Sequence, residues 1–158
     1  MLPSVEELLA LDAITLREHT ELPGDVFDVE QHRERLQKAL KNSEICSAWR
    51  ESQLVAYAML RPESEVCWFV GAFCTHPQYR TPAVLSELIA KIARLASARG
   101  IVELKSHVYK TNRLSIAFHR KLGFWITQEN EKAVEFFVSV SDLSGRPAVR
   151  RATRMGQP

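Results

Sequence analysis

Phe73-Cys74-Thr75-His76-Pro77-Gln78-Tyr79-Arg80-Thr81-Pro82-Ala83-Val84-Leu85, continuing to Gly100 as SELIAKIARLASARG, decides how this chain folds. It opens on the end of an apolar run, WFVGAFCT, whose near-continuous hydrophobicity predicts a central strand covered on both faces. Gly71 inside that run predicts a bulge or a close backbone approach. After a turn at His76-Pro77, Thr81 is a suitable N-cap, and Pro82 falls at the first helical position, where its missing N–H costs nothing. Leu85, Leu88, Ile89, Ile92, Leu95 and Ala96 then recur at helical spacing, and Gly100 supplies the stop. A strand running into a helix N-terminus gathers free N–H groups at the positive end of the macrodipole, where phosphate or pyrophosphate can rest.

Working outward, Val102–Tyr109 predicts a second strand, so the strand–helix–strand unit makes parallel neighbours. A bulge at Gly71 would let that pair splay and open a cleft in the sheet. Upstream, Ile45–Arg50 and Gln53–Leu60 predict two strands joined at Glu51-Ser52. Ser4 with Glu7, and Asp28 with Gln31, are spaced as capping boxes for two early helices. Ala13–Glu18 alternates enough for a first strand, and His19–Phe27 is turn-rich. Downstream, Asn112 caps a helix that Gly123 ends, and Phe124–Gln128 with Ala133–Val140 form a closing hairpin.

The 158 residues suit one domain with a mixed α/β sheet, occupying residues 1–143, followed by a basic tail over 144–158 that reads as disordered. Arg146, Arg150, Arg151 and Arg154 put four charges in that tail without an acid, which leaves −2 on the rest of a chain whose total is +2. Four arginines without interleaved aromatics do not make a nucleic-acid surface, so nucleic acid is not an expected partner. No apolar run reaches membrane-spanning length, and no membrane role is expected. The three cysteines form no CxxC pair and follow no secretory signal, which points to reduced thiols in a cytoplasmic compartment. The five histidines show no metal spacing, and no metal is expected.

Two segments resemble the GNAT N-acetyltransferase superfamily. Thr75-His76-Pro77-Gln78-Tyr79-Arg80 with Leu88-Ile89 is similar to its acetyl-CoA motif, and VYKTNRLSIAFHRKLGF over 108–124 is similar to its last helix and following strand. Asn112, Ser115, Lys121, Gly123 and Phe124 fall in register with the family pattern. The resemblance runs from about Ile45 to Val140. It implies a GNAT-like fold that holds acetyl-CoA, or another acyl-CoA, between splayed parallel strands and transfers the acyl group to a primary amine. Donor contacts would then come from Phe73, Thr75, Arg80, Thr81, Ala83, Val84, Leu85, Asn112 and Ser115. The family loop reads Arg-x-x-Gly-x-Gly/Ala; here Ala83 and Leu85 fill both glycine positions, and Pro82 removes one amide. His119 stands where the family carries a tyrosine acid, on a polar stripe with Asn112 and Ser115 opposite Leu114, Ala117, Phe118 and Leu122, and an imidazolium can donate a proton.

Candidates for the base are Glu103 and His107, on one alternating face of their strand, with Glu65 and His76 behind them. The amine acceptor is expected to enter over His19–Phe27, where Asp25 could attract a cation. A homodimer is left open. Three readings stand at this point: the N-acyltransferase; a degenerate, non-catalytic module of the same fold, as in a phage particle; and a transferase using a longer acyl chain or a carrier-protein thioester.

Overall fold

The computed structural model describes residues 1–17, 21 and 24–155. Helices α1 (Val5–Thr15) and α2 (Val29–Leu40) precede strands β1 (Glu44–Arg50), β2 (Gln53–Pro62) and β3 (Cys67–Thr75). A 3-10 turn at Pro77–Tyr79 leads to α3 (Pro82–Arg99), then β4 (Glu103–Tyr109), α4 (Arg113–Lys121), β5 (Trp125–Glu129) and β6 (Ala133–Ser139). Two short helices close the chain, α5 (Val140–Gly145) and α6 (Pro147–Met155). The strands form one sheet ordered β1-β2-β3-β4-β6-β5, with β3 and β4 parallel and every other neighbouring pair antiparallel.

The α3 signals operate as the sequence predicts: Thr81 Oγ accepts from Val84 N, Pro82 opens the helix, and Gly100 closes it at φ 65°. Ser4 and Glu7 form a full capping box, while Asp28 accepts from Gln31 N. One apolar layer lies between the sheet and α3, α4 and α6, around Leu88, Leu104, Phe136 and Val149. A second lies between α1, α2 and the other face of β1–β3, around Leu8, Leu36, Tyr57 and Cys74. The α1–α2 pair therefore covers half of its face, and the β4-β6-β5 half carries no helix among the described residues.

Three expectations are corrected. Ala13–Thr15 belong to α1 rather than to a first strand, because α1 continues far enough to bury Leu11 and Asp12 against the sheet; Glu18 lies outside the described residues. The stretch 144–158 read as a disordered tail takes in the last two residues of α5 and all of α6, and Val149 and Ala152 are buried where α6 packs along α3. On α4 the expected faces hold in part: Phe118 and Leu122 pack into the core, whereas Leu114 is 57% exposed and His119 is 7% exposed. The three cysteines are free and buried, and burial pushes the thiols up, Cys46 to about 11.

Candidate active site

Four consecutive pairs zip β3 to β4, from Cys67↔Glu103 to Val70↔Ser106. Beyond them the strands part. The cause is visible in the β2–β3 register, where Met59 faces Ala72 and Leu60 faces Val70, so that Gly71 is a surplus residue with no partner. The bulge bends β3 away and leaves residues 72–75 paired with β2 alone. The gap expected from Gly71 is present.

Where the strands part, a cleft of about 160 Å³ is lined by Phe73, Thr75, Arg80, Leu85, Asn112, Ser115 and Phe118, and it reaches Thr15, Leu16 and Cys74 on the α1 side. Donor-contact candidates from three separated segments therefore converge. Asn112 caps α4 by accepting from Ser115 N at 3.1 Å. Arg80 lines the cleft and donates one guanidinium N–H to Thr75 O at 3.1 Å, with no other hydrogen bond from its guanidinium among the described residues. The amide cradle is smaller than the sequence implies. Pro82 has no N–H, Val84 N donates to Thr81 Oγ, Leu85 N donates to Thr81 O, and Thr81 N donates to Tyr79 O. Ala83 N is the one amide of residues 81–85 left for an anion.

His119 lies on the α3 side of the sheet, between Phe124 and Phe136, and stacks on the latter with ring centroids 4.8 Å apart. Its Nδ1 is 2.7 Å from Ser115 O and its Nε2 is 3.1 Å from Ser106 Oγ. A carbonyl only accepts, so Nδ1 carries the proton and Nε2 accepts from the serine hydroxyl. Burial pushes the imidazole below its ordinary range, with the Ser115 carbonyl opposing weakly. The side chain is thus neutral with both nitrogens engaged, not an exposed imidazolium.

This has a measurable consequence. The unfolded chain takes up a proton on this histidine at about pH 6.5, while the folded chain resists until lower pH. Stability is therefore complete above that point and declines as pH falls through it. Denaturation midpoints followed from roughly pH 7.5 to about pH 5.5 should drop more steeply for the wild type than for His119→Gln. Parallel slopes would mean the ring titrates normally.

The opposite face of the gap carries His107, the first β4 residue beyond the zipped pairs. Its Nε2 is 3.0 Å from Glu135 Oε2, directly across the β4–β6 ladder, and its ring meets Phe69 edge-on at 4.7 Å. His107 and then Thr127 hold the Glu135 carboxyl below the usual range. Glu135 was not among the sequence candidates, since only the strand register reveals it. Glu103 pairs with Cys67 at the closed end, four residues or about 13 Å along the strand from His107. Glu65 lies before β3 at that same end, and His76 caps the 3-10 turn by accepting from Gln78 N. None of the four base candidates lines the cleft; His107 is the one that stands on β4 immediately beyond the zipped pairs. Asp25 is engaged, accepting from Lys132 Nζ at 2.6 Å and Tyr109 OH at 3.0 Å, so it is not a free anionic lure for an amine. His19, Leu22 and Pro23, in the expected acceptor loop, lie outside the described residues.

A six-stranded mixed sheet, split by a bulge between a helix N-terminus and a capped second helix, defines the acetyltransferase class of α/β folds. The sequence matches the Acetyltransferase (GNAT) family over residues 8–124, and the chain belongs to that family. Among solved structures, it is similar to the PaiA N-acetyltransferase from Thermoplasma acidophilum in complex with coenzyme A, with TM-score 0.69 and 15% identity over 85% of this chain and 92% of that one. A ribosomal-protein-alanine N-acetyltransferase from Brucella melitensis gives TM-score 0.60 and 19% identity over 89% and 98%. A GNAT family acetyltransferase from Elizabethkingia anophelis with acetyl-CoA bound gives 0.59 and 13% over 68% and 82%. No curated protein matches the sequence.

Proposed function

We propose that this chain is an acyl-CoA-dependent N-acyltransferase acting on a primary amine. The observation that carries the reading is the bulge-opened gap, with the Thr75–Arg80–Ala83 mouth on one face and the His107–Glu135 pair on the other. The thioester lies in the cleft with its diphosphate on Arg80 and the Ala83 amide, and the acceptor approaches from the opposite face of the sheet. Glu135 accepts from Nε2–H of His107, which leaves the Nδ1 lone pair to take the amine proton. The amine nitrogen forms the new bond to the carbonyl carbon, the C–S bond breaks, and the thiolate leaves through the cleft and is protonated by water. His119, neutral and doubly bonded, holds α4 against β4 in this scheme and donates no proton.

The first test is binding. Titrating acetyl-CoA should raise the melting temperature saturably, as a ligand that binds only the folded state must. A flat response up to about millimolar donor would end the enzymatic reading, and a non-catalytic module of the same fold would take its place.

A further inference from the structure

Neither α4 nor α6 contains an acidic residue, and the structure sets the end of one beside the start of the other. Arg146, just before α6, folds its guanidinium over Gly123, just after α4, so closely that a side chain at 123 would stand 2.6 Å from Nε. Arg120 and Lys121 in the last turn of α4 therefore join Arg146, and the line continues along α6 through Arg150 and Arg154, with Arg151 beside it. Arg150 N donates to Arg146 O, so the helical spacing starts at Arg146, and each four-residue step advances about 6 Å along the axis. Val149 and Ala152 occupy the side of α6 buried against α3, which leaves Arg150, Arg151 and Arg154 exposed on the outward side.

Elsewhere many cations are paired. Arg33 meets Glu6 and Glu30, Arg50 and Lys91 meet Glu87, Arg99 meets Glu44, and Lys105 meets Glu63. No member of the strip forms an ion pair among the described residues, and Asp142 is the single acid of residues 136–158. Favourable placement at a helix C-terminus accounts for Arg120, Lys121 and Arg154, but not for Arg150 and Arg151 in the middle of α6. The expectation of no nucleic-acid partner took residues 144–158 as a disordered tail. Fixed on a packed helix, the same arginines form a continuous cationic surface.

We propose that this strip docks on the phosphate backbone of duplex DNA without reading its sequence. Guanidinium forks match phosphate oxygens. A protein partner needs an apolar or aromatic anchor at the centre of its interface, and the strip offers none. A membrane needs an apolar helix face to insert, and α6 has spent its own against α3. Single strands and RNA loops stack on aromatic side chains, which the strip also lacks. Regularly spaced positive charge remains, and a duplex backbone is bound by that alone. Val149 lies with Ala93, Ala96 and Ser97, so the strip runs beside the C-terminal half of α3. From Ala83 at the donor mouth to Ala96 is about 20 Å of helix, which keeps the two sites separate.

Fluorescence anisotropy of a labelled duplex of about 20 base pairs, titrated with the full chain, tests this. The wild type should bind at about 50 mM salt and lose roughly a hundredfold in affinity by about 200 mM, as four phosphates neutralised by Arg146, Arg150, Arg151 and Arg154 require. Arg150→Gln/Arg151→Gln/Arg154→Gln keeps helix-forming residues at these exposed positions and should reduce the log–log salt slope by about 2.7. The same charge change on α2, Arg35→Gln/Lys38→Gln/Lys41→Gln, should leave the slope at its wild-type value. No binding at the lower salt would overturn the proposal. So would equal losses of slope in the two triple variants, since net charge rather than this strip would then be responsible. Polyglutamate competing as well as unlabelled duplex at equal charge would give the strip to an acidic protein, which also overturns it. Where the α6 triple variant does not fold, Arg151→Gln alone decides: a slope lower by about 0.9 supports the contact, and an unchanged slope refutes it.

Discussion

Replacing His107 with alanine should lower kcat/KM for acyl transfer by about a hundredfold or more, the usual contribution of a positioned general base. Binding of acetyl-CoA should be unchanged, because His107 does not line the donor cleft. The residue is 56% exposed at its side chain, so its loss leaves no buried hole, and the fold should tolerate the change. Added imidazole should restore part of the rate. Glu135→Gln, which keeps the shape and weakens the acceptor for Nε2–H, should cost about tenfold with little change in KM. If His107→Ala turns over at the wild-type rate, the proton is taken by another group and the role given to the Glu135 pair is wrong.

Asp12→Ala should be the most destabilising of the substitutions discussed, at about 3–5 kcal/mol. Asp12 is 1% exposed, and its carboxylate gathers side chains from three elements. Tyr57 OH donates to Oδ1 at 2.6 Å, His32 Nε2 lies 2.7 Å from Oδ2, and Cys74 Sγ reaches Oδ1 at 3.5 Å. Burial, followed by the negative charge nearby, holds the Tyr57 hydroxyl and the Cys74 thiol well above their ordinary ranges, so both stay protonated and donate. Alanine leaves the tyrosine hydroxyl fully buried without an acceptor, which is costlier than removing both partners together. Urea denaturation should show the loss, and adding Tyr57→Phe should recover part of it. Strictly additive effects would show that the hydroxyl and carboxylate do not interact energetically.

Much of the scaffold was legible because local chemistry wrote it. Thr81, Pro82 and Gly100 delimit α3, Gly71 marks the bulge, and the strand–helix–strand order forces the parallel pair. What failed did so for physical reasons. Ala13–Glu18 is too short to separate a period of two from one of 3.6, and the partner that settles it, Tyr57 on Asp12, lies 45 residues away. In PAVRRATRM the short face formed by Val149 and Ala152 stands among three arginines, so it was invisible as a packing face until α3 supplied its complement. The Asn112–Ser115–His119 stripe was visible, but its inward direction depends on the hydroxyl of Ser106 across on β4. Glu135 is adjacent to His107 only through antiparallel register, which no motif encodes.

The surplus residue in β3 does more than open space. Phe69 and Phe73, four apart, would point the same way in a regular strand. With Gly71 inserted, Phe69 turns toward His107, while Phe73 turns toward Phe118. One strand thereby addresses two chambers, and the parity of its side chains is reset midway, like a reading frame. Excising Gly71 would rotate Ala72, Phe73 and Cys74 to the wrong compartments, trading an aromatic ring for a thiol and leaving Asp12 without its sulfur neighbour.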